Sequence, residues 1–132
     1  MSTLIARIKQ IETVDHLNIV TFDFNADELK MMSLELSQQM QVGNKVALGV
    51  KPTSVAVAKS INGVLSYSNR LCATVASINS GKLLSSVRLS VHGAIIESII
   101  TRASADIMNL HVNDEVAVLI NESDIFVLEV LE

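Results

Sequence analysis

The stretch Val46-Ala47-Leu48-Gly49-Val50-Lys51-Pro52-Thr53-Ser54-Val55 (VALGVKPTSV) can be laid without a gap on Val116-Ala117-Val118-Leu119-Ile120-Asn121-Glu122-Ser123-Asp124-Ile125 (VAVLINESDI). The Val-Ala pair coincides, Val50 meets Ile120, Thr53 meets Ser123 and Val55 meets Ile125. Upstream, MQVGNKV (Met40 to Val46) lies on LHVNDEV (Leu110 to Val116) in the same register. Gly43 then meets Asn113, and these are the residue types that most easily adopt a positive φ. Near the start of the chain, Leu4-Ala6-Ile8 matches Leu71-Ala73-Val75. The chain therefore reads as two copies, residues 1–65 and 66–132, joined through KSINGVLSYS (Lys59 to Ser68), where Asn62-Gly63 is a turn signal.

Within each copy the period is that of strands. Val20, Phe22 and Phe24 alternate with Thr21 and Asp23; Met32, Leu34 and Leu36 alternate with Ser33 and Glu35. In the second copy Val87, Leu89 and Val91, then Val116, Val118 and Ile120, repeat the pattern. Alternation over four to six residues marks half-buried strands, and several short strands in succession suggest small barrels or sandwiches. Helix signals are slight: Ser104 is a candidate N-cap for one or two turns through ADIMNL, and Ser37 for QQM. A short helix between strands suits a five-stranded OB-like barrel. Each copy is small enough to be marginal alone, and the apolar content beyond two small cores points to a homo-oligomer.

Composition narrows the function. Of 132 residues 49% are hydrophobic and 18% charged, with a net charge of −4. A nucleic-acid surface normally needs a basic excess, and stacking on single strands needs aromatics, here only 3%. One cysteine, Cys72, excludes an internal disulfide and a cysteine-based zinc site; it reads as a small buried hydrophobe. His16, His92 and His111 are scattered and suggest no metal centre. No leader-like N-terminus or membrane-spanning run is present, so a cytoplasmic protein without a membrane partner is expected. No nucleophile triad or carboxylate pair stands out, so an enzyme is not expected. What does stand out is the Lys51-Pro52-Thr53 turn between two strand-like runs. A cation and hydroxyl donors there suit a small anion, although on spacing alone a solvated turn is the more ordinary reading.

The second copy resembles the molybdenum-pterin-binding type of module, the Mop or TOBE domain. The resemblance rests on SYSNRLCATV, INSGKLLSSVRLSV, HGAIIESIITRASADIMNL and VNDEVAVLINESDI, which together cover nearly all of Ser66 to Val130. The first copy keeps VGNKVALGVKPTSV. Two such copies in one chain are similar to a tandem molbindin. The resemblance implies an all-β fold of two tandem OB-like five-stranded barrels with at most short helices, chains associating as trimers, and molybdate or tungstate held between modules without a covalent cofactor. It implies a role in molybdenum homeostasis, storage or sensing; the alternative is a non-catalytic regulatory or interaction module, related to transporter and regulator domains, with weakened or lost binding.

In that family a Lys-small-Ser/Thr turn meets a Ser-x-Arg-Asn element of another module around the oxyanion. Residue by residue, Lys51 and Thr53 match the first element, and Ser66 and Asn69 match two positions of the second. Pro52, Tyr67, Ser68, Arg70 and Ser123 are further candidates. Three departures set the expectations. The family arginine position is Ser68, with Arg70 two residues later; the second lysine position is Asn121, followed by Glu122; and only Ser2 and Thr3 lie upstream of Leu4 where the first copy would need its own Ser-x-Arg-Asn element. Occupied sites are therefore expected around Lys51 and none around Asn121.

Overall fold

The structure is a computed structural model covering residues 1–132. Ten strands run β1 (Ser2–Val14), β2 (Leu17–Phe24), β3 (Asp27–Ser33), β4 (Lys45–Val50), β5 (Val55–Ala58), β6 (Asn69–Ser80), β7 (Leu84–Val91), β8 (Ala94–Thr101), β9 (Glu115–Ile120) and β10 (Ile125–Val130). One helix, α1 (Arg102–Met108), lies between β8 and β9. Two five-stranded curled sheets result, as expected of a tandem OB-type fold: β10-β4-β1-β2-β3 and β5-β9-β6-β7-β8.

The repeat survives in register. β1 pairs with β2 and β4 as β6 pairs with β7 and β9. Both long strands carry a bulge at the same place, between Ile8 and Gln10 and between Val75 and Ser77, which bends each sheet. Gly43 (φ 94°) and Asn113 (φ 75°) both take the left-handed region. There their amides bond Ile8 O and Val75 O, setting the entry into β4 and β9. Three tight hairpins turn at Asp15-His16, Asn25 and His92-Gly93, where positive φ matches the twist of the strands.

The sheets do not coincide with the two sequence copies. Each takes its fifth strand from the other: β10 joins β4 (Ile125↔Val50) and β5 joins β9 (Val55↔Ile120). The residues Lys51–Ser54 and Asn121–Asp124 are thus crossovers, each a single 3₁₀ turn between sheets. Gly49 lies opposite Phe126 of the exchanged strand, and a Cβ there would fall 2.8 Å from its ring, so only glycine admits Phe126 across β4. In place of two small cores there is one cluster of 24 buried residues running from Leu4 to Ile125 through both sheets.

Several expectations need correction. The buried face of β3 is Leu29 and Met31, while Met32 and Leu34 are exposed and the strand ends at Ser33. The apolar pair Met31-Met32 leaves the phase of alternation ambiguous, and a one-residue shift reverses the faces. Thr101, not Ser104, caps α1, its hydroxyl accepting from the Ser104 amide. Ser37 starts no helix; it folds a local turn by accepting from the Gln39 amide. Cys72 is exposed, because Leu71, Ala73 and Val75 take the inner face of β6.

Lys59, at the end of exchanged strand β5, fastens it to the second copy: its Nζ reaches Met108 O, Asn109 O and Asp114 Oδ2 at 3.2, 3.0 and 3.1 Å. The His111 amide, and then Lys59, hold the Asp114 carboxyl below the usual carboxylate range. A lowered folded value stabilises the fold above the unfolded value of about 3.9, and this is lost as pH falls through the folded value. Lys59→Met removes the second cause, so the acid loss of thermal stability should begin at higher pH than in the parent. Thermal midpoints followed from neutral pH into acid check this; coincident profiles would contradict it.

Candidate functional site

The pairing around the crossovers places the candidate residues. Val50 lies between Ser2 and Ile125 in one sheet, and Ile120 lies between Asn69 and Val55 in the other. Both crossovers, and the segment that leads into β6 at Asn69, therefore gather at the end where the sheets exchange strands.

The Lys51 turn is open. Lys51 is extended (φ −72°, ψ 141°), makes no side-chain cap, and is exposed together with Thr53. Pro52 fixes the first residue of the turn and has no N–H to donate; Ser54 N bonds Lys51 O, and Val55 N bonds Pro52 O. Lys51 belongs to none of the five ion pairs of the chain. An ammonium and a hydroxyl on a turn anchored by two strands can meet an anion from outside with little reorganisation.

The Asn121 turn is closed on itself. Asn121 Oδ1 accepts from both the amide and the hydroxyl of Ser123, each at 3.1 Å. Its Nδ2 donates to the Tyr67 hydroxyl at 3.3 Å. Glu122 Oε1 accepts from the Ser68 amide at 3.2 Å. An internal carboxylate thus takes a donor of the segment that sequence matching assigns to an anion. Within the chain, Ser66–Asn69 lies beside the Asn121 turn, and no side-chain hydrogen bond links it to Lys51 or Thr53.

Asn69 does something the sequence did not announce. It is fully buried, and its amide makes a two-way bond with the backbone of Lys30: Oδ1 accepts from Lys30 N at 2.7 Å and Nδ2 donates to Lys30 O at 2.8 Å. This ties edge strand β3 of one sheet to β6 of the other. Ser2, at the equivalent place in β1, accepts from Glu97 N of β8 at 2.8 Å. So the first copy does keep a polar pin ahead of Leu4, although it is a serine with one bond in place of two. Ser66, Tyr67 and Ser68 are exposed, and Arg70, on the outer face, donates to Ile61 O at 3.1 Å.

A groove of about 630 Å³ lies between β3, residues 34–40 and β10, and includes Ser123 but none of Lys51, Thr53, Ser66 or Asn69. It opens where the first copy has no helix corresponding to α1. No group of three or more His, Cys, Asp or Glu side chains is placed to hold a metal ion, and no helix is long and apolar enough to cross a membrane.

The model of the TOBE domain family matches residues 65–127. No curated protein matches the chain. Among solved structures, the chain is similar to the cytoplasmic molybdate-binding protein ModG in a crystal form with molybdate bound. The TM-score is 0.88 at 22% identity, over 95% of this chain and 93% of that one. At that identity the likeness is one of fold.

Proposed function

We propose that this chain is a tandem Mop/TOBE protein, built from copies 1–65 and 66–132 with exchanged last strands, that binds molybdate or tungstate without catalysis in the cytoplasm. The observation that carries the reading is the contrast between the crossovers: Lys51 and Thr53 stand unpaired, whereas Asn121, Glu122 and Ser123 satisfy one another and the Tyr67–Ser68 segment. The TOBE match and the fold of a molybdate-binding protein support the ligand class. Buffering, storage or sensing of the oxyanion is the role this implies.

A tetrahedral dianion needs a cation, several N–H or O–H donors and partial exclusion of water. Lys51 supplies the charge and Thr53 a hydroxyl; Pro52 has no N–H and the Ser54 and Val55 amides are bonded within the turn, so the remaining donors must face it from elsewhere. The segment Ser66–Ser68 of the same chain lies against the Asn121 turn, so the facing donors come from a neighbouring chain. That favours a homo-oligomer, with the trimer as the proposed state. Sedimentation at micromolar concentration should show a single species of about three chains; a monomer alone would remove the intermodule site.

The self-closed turn gives a direct test. Asn121→Lys with Glu122→Ala restores a positive charge and removes the carboxylate that bonds Ser68. Titration of this variant with molybdate should reveal a second class of site absent from the parent. Unchanged stoichiometry would mean that the crossovers do not hold the anion.

A further inference from the structure

The outer faces of the two sheets carry equivalent grooves that the chain has treated differently. In the first, Arg7 pairs across to Lys45 and Asp23, and with Ile5 these side chains reduce the groove to about 270 Å³. In the second, the same three strands present Thr74, Glu115 and Ser90, with Cys72 in the place of Ile5, and the groove widens to about 530 Å³. Small side chains, Cys72 and Ala117, now form its floor.

Its two walls are each pinned by a polar contact between the two copies. His92 Nε2 lies 2.5 Å from Asp27 Oδ2 and its ring packs edge-on against Phe24, which fixes one wall. Lys59, bound to Asp114, fixes the other wall at Ala58 and Ser60. Between them, two charged groups of opposite sign belong to no ion pair: Arg70 at one end and Glu115 at the other. Glu115 faces Thr74, four residues along β6 from Arg70, so the two backbone positions are separated by about 13 Å.

We propose that this groove binds a dipolar small molecule of free-oligopeptide chemistry, with a carboxylate on Arg70 and an ammonium on Glu115. An extended tripeptide spans about 10 Å, shorter than the backbone separation of the two charged positions. The Arg70 guanidinium is oriented by its bond to Ile61 O and keeps further N–H groups for a carboxylate. Thr74 and Ser90 offer hydroxyls to the peptide groups between the ends, and Ala117 and Cys72 leave room for the main chain. The site is separate from the Lys51 turn and does not depend on oxyanion binding.

Trialanine is the probe, followed by backbone-amide chemical shifts of the full-length protein at millimolar peptide. The expected result is saturable shifts at Cys72, Thr74, Ser90 and Ala117. N-acetyltrialanine and trialanine amide should each bind about tenfold more weakly, as one charge-assisted bond is lost. Cys72→Ile with Thr74→Arg fills the groove with the residues the first copy carries there, and should abolish the shifts while molybdate titration stays unchanged. Should that variant not fold, Arg70→Gln and Glu115→Gln, at exposed positions, should each remove the preference for one free end. No saturable shifts with trialanine, or equal binding of the blocked peptides, would overturn the proposal; so would shifts that persist in a folded, filled variant.

Discussion

Asn69→Ala will lower the unfolding free energy by about 2–3 kcal/mol, because the amide and carbonyl of Lys30 both lose their partner at a part-buried position. Removing one partner of a buried hydrogen bond exposes the desolvation cost of the other, and here one side chain serves two backbone groups. The loss should appear as a lower urea midpoint with an unchanged slope, since no surface is newly exposed in the native state. Asn69→Ser provides the internal control. Ser2 makes a single bond to Glu97 N at the equivalent place, so a serine at 69 should fall between alanine and the parent. A neutral Asn69→Ala would mean that the Lys30 backbone finds another partner and that the amide is free for a ligand after all.

Lys51→Ala will weaken molybdate binding by about 1.5–3 kcal/mol, the range for hydrogen bonds to charged groups. That corresponds to a loss of roughly ten- to hundredfold in affinity. The stability of the unliganded chain should be unaffected, because Lys51 is exposed and makes no intrachain cap or ion pair. Lys51→Arg keeps the charge and should retain most of the binding. The two substitutions therefore separate what sequence matching joined: Asn69 holds the sheets together, and Lys51 is available to a ligand.

What the sequence made legible was the repeat. Gly43 aligned with Asn113, and Val46–Val55 with Val116–Ile125, are enough to place equivalent turns and strands. The exchange of β5 and β10 was not legible, because equivalent strands carry the same apolar pattern and either sheet can accept either one. The phase of β3 was lost at Met31-Met32, where two adjacent apolar residues fit both faces. Thr101 and Ser104 lie three apart and hydrogen-bond each other, so either reads as a cap until the end of β8 is known.

For the site, the sequence distinguished the two crossovers by Lys51 against Asn121 and Glu122, but the physical difference is sharper than charge. Glu122 reads in the sequence as repulsion toward an anion; in the fold its carboxylate bonds the Ser68 amide and takes a donor an anion would need. Asn69 is assigned to the oxyanion by resemblance alone; its bonds to the Lys30 backbone are not readable, because nothing in a single sequence says which strand will pack over it. Its counterpart Ser2 reads in the sequence only as part of a missing element; that its hydroxyl bonds Glu97 N depends on which strand packs over it.

Under the proposed function the crossover at Lys51 holds the oxyanion and the crossover at Asn121 does not. Calorimetric titration of the parent chain with molybdate, tungstate and sulfate separates the two crossovers. One class of site is expected, with one oxyanion bound per chain, abolished or strongly weakened by Lys51→Ala and unchanged by Asn121→Ala. Two equal classes of site per chain, or binding insensitive to Lys51 and lost with Asn121, would contradict it.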